Sequence, residues 1–373
     1  MRALVYWSIN GIGGAQRLYV MFAKALLECG FNVDILTSHR ISLSHIKSIH
    51  GVDLSGVNIR MIKNLPCTNP ACSLVNSTVG MQELISISSS YDLVYLDDLY
   101  LSQFIKHNGV IFYIHGYTDR RRPIAPLAKP HRMLPMAIQA LGSSYDIIKR
   151  AKYLFANSYV TAYVTYRVIG ILPKVLHPPV DVKLASKYRS ESREDSLVSF
   201  GRLGSAKGHE LVIKVLRGLK DRGIDAKAYI MGSAEDMSAK AYVANLLKLA
   251  EKMGLAKQVE LILNPSIDES YSILGRSKVF IHGKPHEPFG IVVVEAMAAG
   301  AVPVVPKSGG PWYDIIDRGK YGLGYGNLEE ATNAAEHVLR GGYDDYSLLA
   351  MRRAEEFSME VFKGRLCESL MGN

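Results

Sequence analysis

The chain is 373 residues long, which makes two domains of roughly 180 residues each the natural expectation. Hydrophobic residues at 48% against 21% charged, without any low-complexity tract, exclude a disordered or fibrous chain. The formal net charge of +9 favours acidic partners, whether nucleotide phosphates, lipid phosphates or nucleic acid. No stretch reaches the roughly 18 uninterrupted apolar residues that a spanning helix needs. The apolar run 3–7 is too short for the core of a signal peptide. A cytoplasmic protein, soluble or associated with a membrane surface, is therefore expected. The four cysteines, Cys29, Cys67, Cys72 and Cys367, complete no zinc spacing with a nearby histidine or cysteine. They are expected to be reduced, with a local Cys67–Cys72 bridge as the alternative.

Residues 2–8 read as a buried strand, followed by Asn10-Gly11-Ile12-Gly13-Gly14-Ala15-Gln16 and a helix to about residue 29. A dinucleotide fingerprint would need glycine where Gln16 stands. The next strand, 32–36, ends in Thr37-Ser38-His39-Arg40 instead of an acid suited to a ribose. Nicotinamide dinucleotides are a poor match. Further strands are expected at 57–62, 93–96, 110–114 and 153–156, with helical patterns between most of them. This alternation implies a parallel, doubly wound sheet whose ligands gather at the carboxyl ends of its strands. His115 stands at one such end and Asn157-Ser158 at another, where Ser158 also suits a helix N-cap.

The densest basic patch runs from Asp119-Arg120-Arg121-Arg122-Pro123 to Lys129, His131 and Arg132, with Ile124, Leu127, Leu134 and Met136 interleaved. It reads as a solvated loop or as a contact for a membrane surface through Arg120-Arg121-Arg122. No nucleic-acid motif accompanies the charge, and no nucleic-acid partner is expected. Polar residues 187–196 suggest a linker. The second half restarts with an apolar strand from residue 197 that ends in Gly201-Arg202, and Lys207-Gly208 opens a helix. Arg202 can bridge two phosphate oxygens while Lys207 adds a mobile charge, so this loop suits a diphosphate. Strands follow at 227–231, 259–263 and 278–281; Gly232-Ser233 and Leu263-Asn264 end two of them as candidate base-contacting loops.

The most informative stretch is 282–312, HGKPHEPFGIVVVEAMAAGAVPVVPKSGGPW. A helical pattern opens near Phe289 and closes at Gly300, a suitable left-handed C-cap, before a buried strand at 302–305. Glu287 and Glu295 bracket the helix start. One lies in the loop above the strand ends and the other about two turns into the helix. Between them, the backbone N–H groups of Phe289, Gly290 and Ile291 offer a seat for phosphate. Glu295 sits among Ile291-Val292-Val293-Val294 and Ala296-Met297-Ala298-Ala299, apolar all round, so its carboxylate needs a buried partner. A phosphate with hydroxyl-rich groups on either side describes a nucleotide-sugar. Residues 358–371 read as a terminal helix with Ser358 as N-cap.

The run Glu287-Pro288-Phe289-Gly290-Ile291, with Glu295-Ala296-Met297-Ala298-Ala299-Gly300 after it, resembles the donor-binding signature of family 4 retaining glycosyltransferases. These have the GT-B architecture, an α/β fold of two Rossmann-like domains with parallel sheets facing across a cleft. The resemblance is specific from residue 200 to 314 and weaker before residue 180. It implies an N-terminal acceptor-binding domain over residues 1–180 and a C-terminal nucleotide-sugar-binding domain over 181–357. A terminal helix, 358–373, would cross back to the first domain, and His177-Pro178-Pro179-Val180-Asp181 looks like the hinge. The resemblance assigns Glu287 to sugar hydroxyls, Glu295 to ribose hydroxyls, and Arg202 and Lys207 to the departing diphosphate. It places His115 near the transferred sugar. Gly13 and Gly14, helped by Gly11, would let the backbone approach donor phosphate and acceptor. Two departures stand out: Gly283-Lys284 replaces the usual Pro-Ser after the strand, and Asp314 follows the Gly309-Gly310-Pro311 turn where many relatives have Glu sooner.

Residues 286–291 and 310–314 look closest to mannosyltransferases that extend lipid-linked oligosaccharides with GDP-mannose. The expected function is transfer of a hexose, mannose favoured, from GDP- or UDP-hexose to a lipid-linked or saccharide acceptor, with retention. His115, Arg202, Lys207 and Glu287 would be the catalytic residues, and no cofactor is expected. No Asp-x-Asp metal motif is present and Asp97-Asp98 is the nearest look-alike, so the cations are expected to replace a metal. Rival readings are a nucleotide-sugar epimerase of the same two-domain shape and a sugar- or lipid-binding relative without catalysis.

Overall fold

The computed structural model describes residues 1–7, 14–38, 41–62, 70–97, 104–116, 146–234 and 236–372, with the backbone alone at 14–16, 45, 48–50 and 70–78. The chain divides into two compact units, Met1–Pro179 together with Phe362–Asn373, and Val180–Val361.

The first unit alternates strand and helix: β1 (Arg2–Trp7), α1 (Gly14–Glu28), β2 (Asn32–Thr37), α2 (Leu43–His50), β3 (Asn58–Met61) and α3 (Pro70–Ser88). It continues with β4 (Leu93–Leu96), β5 (Val110–Ile114), α4 (Asp146–Arg150), β6 (Tyr153–Ala156), α5 (Tyr159–Ile169) and β7 (Lys174–Val175). All seven strands are parallel, in the order β3-β2-β1-β4-β5-β6-β7. The central strands are buried along nearly their whole length, as a parallel sheet covered on both faces requires. That is why they read as continuous apolar runs in the sequence.

The second unit holds α6 (Val182–Ser186), β8 (Glu194–Phe200), α7 (Glu210–Asp221), β9 (Lys227–Gly232), α8 (Met237–Lys252), β10 (Val259–Leu263) and α9 (Ile267–Arg276). Then come β11 (Ser277–Ile281), α10 (Ile291–Ala299), β12 (Val302–Pro306), β13 (Leu323–Tyr325), α11 (Leu328–His337) and α12 (Tyr343–Glu355), while the last helix, α13 (Met359–Met371), belongs to the first unit from Phe362 on. The parallel sheet of the second unit runs β10-β9-β8-β11-β12-β13. Alternate residues of the strands enter two separate cores. Leu197, Ile230, Val279 and Val304 face one, while Val198, Met231, Phe280 and Val305 face the other. In such a sheet a ligand crevice opens where the strand order reverses, at the carboxyl ends of the strands that meet there. Here those strands are β8 and β11.

Three features differ from the sequence reading. Strand β8 starts inside the expected linker, at Glu194, because polar side chains at its amino end find partners: Tyr229 Oη donates to Glu194 Oε2 at 2.6 Å and Lys278 Nζ reaches Asp195 Oδ1 at 2.6 Å. Strands β7 and β13 were not expected, being two and three residues long and too short to leave a periodic signal. The third difference concerns the cysteines.

The expected reduced state is corrected: Cys29, just past α1, forms a disulfide with Cys367 in α13, their Cα atoms 5.5 Å apart. The two stand 338 positions apart, so no spacing rule pairs them. They meet because α13 packs on the first unit. Phe362 sets its ring 5.1 Å from that of Phe22, Lys363 pairs with Glu28 at 3.1 Å, and Tyr153 Oη donates to the Leu370 carbonyl at 3.3 Å. Cys67 and the Cys72 side chain, which carried the alternative bridge, lie outside the described residues. Replacing Cys367 by Ser should lower the stability of the first unit by about 2–4 kcal/mol, the usual effect of losing a disulfide. Thermal unfolding with and without reductant checks this: the reductant should shift wild type to the midpoint of the variant and leave the variant unmoved.

Candidate functional site

Two backbone loops meet at the switch point of the second sheet. One leaves β8 at Phe200 and runs through Arg202 to a short turn, Ser205–Lys207, closed by Gly208 in the left-handed region at φ 67°. The other leaves β11 at Ile281 and runs through His282-Gly283-Lys284 to Glu287 and the start of α10. The loops touch backbone to backbone. A Cβ on Gly208 would stand 2.5 Å from the Gly283 carbonyl oxygen, and one on Gly283 would stand 2.2 Å from that of Gly208. No larger residue fits either position without separating the loops.

This approach brings Lys207 to Glu287. Its Nζ donates to Glu287 Oε2 at 2.8 Å, across 80 positions of sequence. Lys284 Nζ stands 3.2 Å from the same oxygen, and His282 Nε2 stands 3.8 Å from it. Burial pushes the Glu287 carboxyl up, but Lys207, then His282 and Lys284, outweigh it and hold the carboxyl below its ordinary value. Glu287 is thus a mostly buried anion at neutral pH, balanced by two ammonium groups.

A second turn braces this loop from the other side. Gly310 N–H donates to the Glu287 carbonyl at 2.8 Å, and Ser308 Oγ accepts from His286 N–H at 3.1 Å. A Cβ on Gly309, at φ 73°, would meet Glu287 carbonyl oxygen at 2.4 Å. The helix start differs by two residues from the expectation, since α10 opens at Ile291 and Gly290 is its N-cap at φ 102°, without a side-chain cap. Phe289 turns inward to pack its ring 5.5 Å from Phe357, so only its backbone faces the loop chemistry. Glu295, 5% exposed in α10, accepts a hydrogen bond from Tyr271 Oη at 3.0 Å, the buried partner its apolar surroundings demanded.

Arg202 is exposed, and its carbonyl accepts from His209 Nε2 at 3.2 Å. Ser199 Oγ donates to the Nδ1 of the same ring at 2.8 Å, which fixes a neutral tautomer; burial pushes the His209 imidazole below its ordinary value. Of the two candidate base-contacting loops, Gly232-Ser233 braces the Arg202 turn: Leu203 N–H donates to the Ser233 carbonyl at 2.9 Å, and a Cβ on Gly232 would overlap the Gly201 carbonyl. Asn264, at φ 52°, accepts from Ala234 N–H at 2.9 Å.

His115 and the glycine turn belong to the first unit. His115 Nε2 donates to Asp97 Oδ2 at 2.7 Å, and the Asp97 side chain is 1% exposed. Asn157 Nδ2 donates to the His115 carbonyl at 2.7 Å, while Ser158 caps α5 by accepting from Thr161 N–H. Asp97, met earlier only as half of a weak metal look-alike, is therefore the partner that orients His115. Gly14 opens α1; Gly11, Gly13, Asp98 and Arg120-Arg121-Arg122 lie outside the described residues. Among the described residues no helix is long and apolar enough to cross a membrane.

Two site residues escaped the sequence reading. Lys284 was visible only as a departure from the usual Pro-Ser, yet that departure supplies a second cation three residues before Glu287. His282 left no signal beyond closing an apolar strand. It is 4% exposed and its Nε2 has no hydrogen-bond partner.

Residues 183–340 match the family described as Glycosyl transferases group 1. Among curated proteins, the GDP-Man:Man(3)GlcNAc(2)-PP-Dol alpha-1,2-mannosyltransferase of Dictyostelium discoideum is 27% identical over 204 residues, 51% of this chain. The protein of that name from Mus musculus is 31% identical over 157 residues, 40% of this chain. The matched regions span 40% and 32% of those relatives' lengths. Among solved structures, HepE of Anabaena in complex with UDP and glucose superposes with a TM-score of 0.73 at 16% identity, covering 100% of both chains. The lipopolysaccharide glycosyltransferase WaaG does so with 0.68 at 14% identity, again over 100% of both. The fold is GT-B.

His282 generates a prediction of its own. Burial pushes its imidazole down to about 4, with Lys207 and Lys284 adding to the effect against the pull of Glu287. The folded value lies below the ordinary 6.5, so the unfolded chain takes up the proton first as pH falls from 6.5 towards 4. The fold loses on the order of 3 kcal/mol from this group over that window. A buried nitrogen without a partner also costs about 1–3 kcal/mol at any pH. The variant His282→Leu should therefore unfold at pH 7 at a midpoint equal to or above wild type, and lose less stability between pH 6.5 and 4.5. Thermal denaturation followed by circular dichroism at the two pH values tests this; a lower midpoint at pH 7 would contradict it.

Proposed function

We propose that this chain, with its GT-B fold and a group 1 glycosyltransferase region over residues 183–340, moves a hexose from a nucleotide-diphosphate sugar to an acceptor hydroxyl. Mannose is the favoured hexose and a GDP-sugar the favoured donor, on the likeness to the mannosyltransferases above. The acceptor is lipid-linked or a saccharide, and the anomeric configuration is retained. One observation carries the reading: Lys207 and Lys284 converge on the mostly buried Glu287 carboxylate at the carboxyl ends of β8 and β11. A carboxylate there accepts hydrogen bonds from sugar hydroxyls. An ammonium 2.8 Å away serves the neighbouring phosphate.

The reaction asks for charge stabilisation more than for covalent chemistry. The bond from the anomeric carbon to the phosphate oxygen breaks, and its electron pair stays on the diphosphate. Fixed cations placed where that charge grows stabilise the transition state in a site that does not have to reorganise. Lys207 and the exposed Arg202 supply them in this proposal, with the uncapped amino end of α10 at Gly290 and Ile291 adding its dipole. Glu287 holds the sugar and Glu295 the ribose. Assignment of His115 to the transferred sugar, and of Gly13 and Gly14 to the donor and acceptor turn, follows the family resemblance alone. The basic segment at Arg120-Arg121-Arg122 is the proposed membrane-surface contact.

Two measurements test the reading. Lys207→Ala should lose on the order of 2–4 kcal/mol of transition-state stabilisation, roughly 30- to 1,000-fold in kcat/KM for a GDP- or UDP-hexose. An unchanged kcat/KM would show that the phosphate site lies elsewhere. With cations in the role of a metal, activity should survive EDTA; complete loss, restored by Mg²⁺ or Mn²⁺, would refute the metal-independent mechanism.

A further inference from the structure

Three donors surround one oxygen of Glu287, and only two of them hold it. Lys207 and Lys284 lie at 2.8 and 3.2 Å from Oε2, while His282 Nε2 stops at 3.8 Å, beyond hydrogen-bond reach. The backbone of His282 is pinned on both sides. Its N–H donates to the Val304 carbonyl at 3.0 Å, and its carbonyl accepts from Tyr325 Oη at 2.7 Å. Its ring is enclosed, with Nε2 unpartnered beside the carboxylate. His209 lies in the same loop cluster, and there both ring nitrogens are satisfied. An unsatisfied buried imidazole costs stability, and residues that persist at such a cost mark functional positions.

The arrangement has one vacancy to offer. Lys207 cannot serve a diphosphate and Glu287 at full strength together, since an ammonium that turns to phosphate leaves the carboxylate. We propose that His282 is a positioning residue: when a diphosphate draws Lys207 away, the Nε2–H of His282 closes by about 1 Å onto Glu287 Oε2 and keeps the carboxylate aimed at the sugar hydroxyls. A neutral imidazole suits this task. It donates one hydrogen bond without adding a positive charge, so Glu287 stays a full acceptor for hydroxyl groups, and it does not compete with Lys207 for phosphate. The consequence is selectivity. The His282 contact matters to a ligand that carries a sugar and not to the bare nucleoside diphosphate. This inference rests on the reading of Glu287 as the sugar-holding carboxylate.

Calorimetry on the full chain separates the two. GDP, UDP, GDP-mannose and UDP-glucose are titrated into wild type, His282→Leu and His282→Gln. The Leu variant should bind the free diphosphates with wild-type affinity and bind its nucleotide-sugar about tenfold or more weakly, the effect of one lost hydrogen bond to a charged group. The Gln variant carries an amide N–H at the reach of the imidazole Nε2 and should recover most of the loss. In a Glu287→Gln background the Leu substitution should cost nothing further, because His282 acts through Glu287. A Leu variant with wild-type affinity for the nucleotide-sugar, or with equal losses for sugar and free diphosphate, would overturn the inference and leave the donor site standing. Wild type that binds the diphosphates but no nucleotide-sugar would overturn the functional reading, and this inference with it.

Discussion

The contact between Lys207 and Glu287 is what the second unit is arranged to make. It joins two loops that leave neighbouring strands of a parallel sheet, and it forms only because Gly208 and Gly283 let the loop backbones touch. The glycine turn at Gly309 and Gly310 closes the opposite side with a hydrogen bond to the Glu287 carbonyl. A carboxylate so deeply placed would be expelled or protonated without counter-charges. Two lysines supply them, and Glu287 remains an anion. The site is therefore a stored charge pair; under the proposed function an incoming phosphate would find a cation already in position.

The histidines behave differently under the same field. Lys207 and Lys284 add to what burial does to His282, so the imidazole stays neutral beside an anion. His209 is also neutral, but its nitrogens are occupied by Ser199 and the Arg202 carbonyl, and it serves to fix the Arg202 turn. Neutral rings near a cationic loop leave the positive charge on Lys207 and Lys284.

The first unit has its own anchored pair. Asp97 is buried at the end of β4 and holds His115 at the end of β5, with Asn157 after β6 securing the His115 backbone. Three consecutive strands of one sheet thus contribute one residue each to a single small network. The last helix, α13, is fastened to this unit by the Cys29–Cys367 disulfide, an aromatic contact and an ion pair.

Much of this was legible in the sequence because it is written in short-range patterns. Apolar runs of strand length alternate with helical periodicity, and that alone determined two doubly wound α/β units. Glu295 in an apolar helix announced a buried partner, and the Gly-Arg and Glu-Pro-Phe-Gly motifs marked the two loops that meet at Lys207 and Glu287. What the sequence could not determine was which distant groups meet. Tyr271 as the partner of Glu295, Asp97 as that of His115, and Cys367 as that of Cys29 lie 24, 18 and 338 positions from them. Lys207 and Glu287 stand 80 apart. Such pairs are set by the order in which strands join a sheet, which no local periodicity encodes. His282 is the clearest case: its chemistry comes entirely from lacking a hydrogen-bond partner in a buried place, a property that exists only once the chain has folded around it.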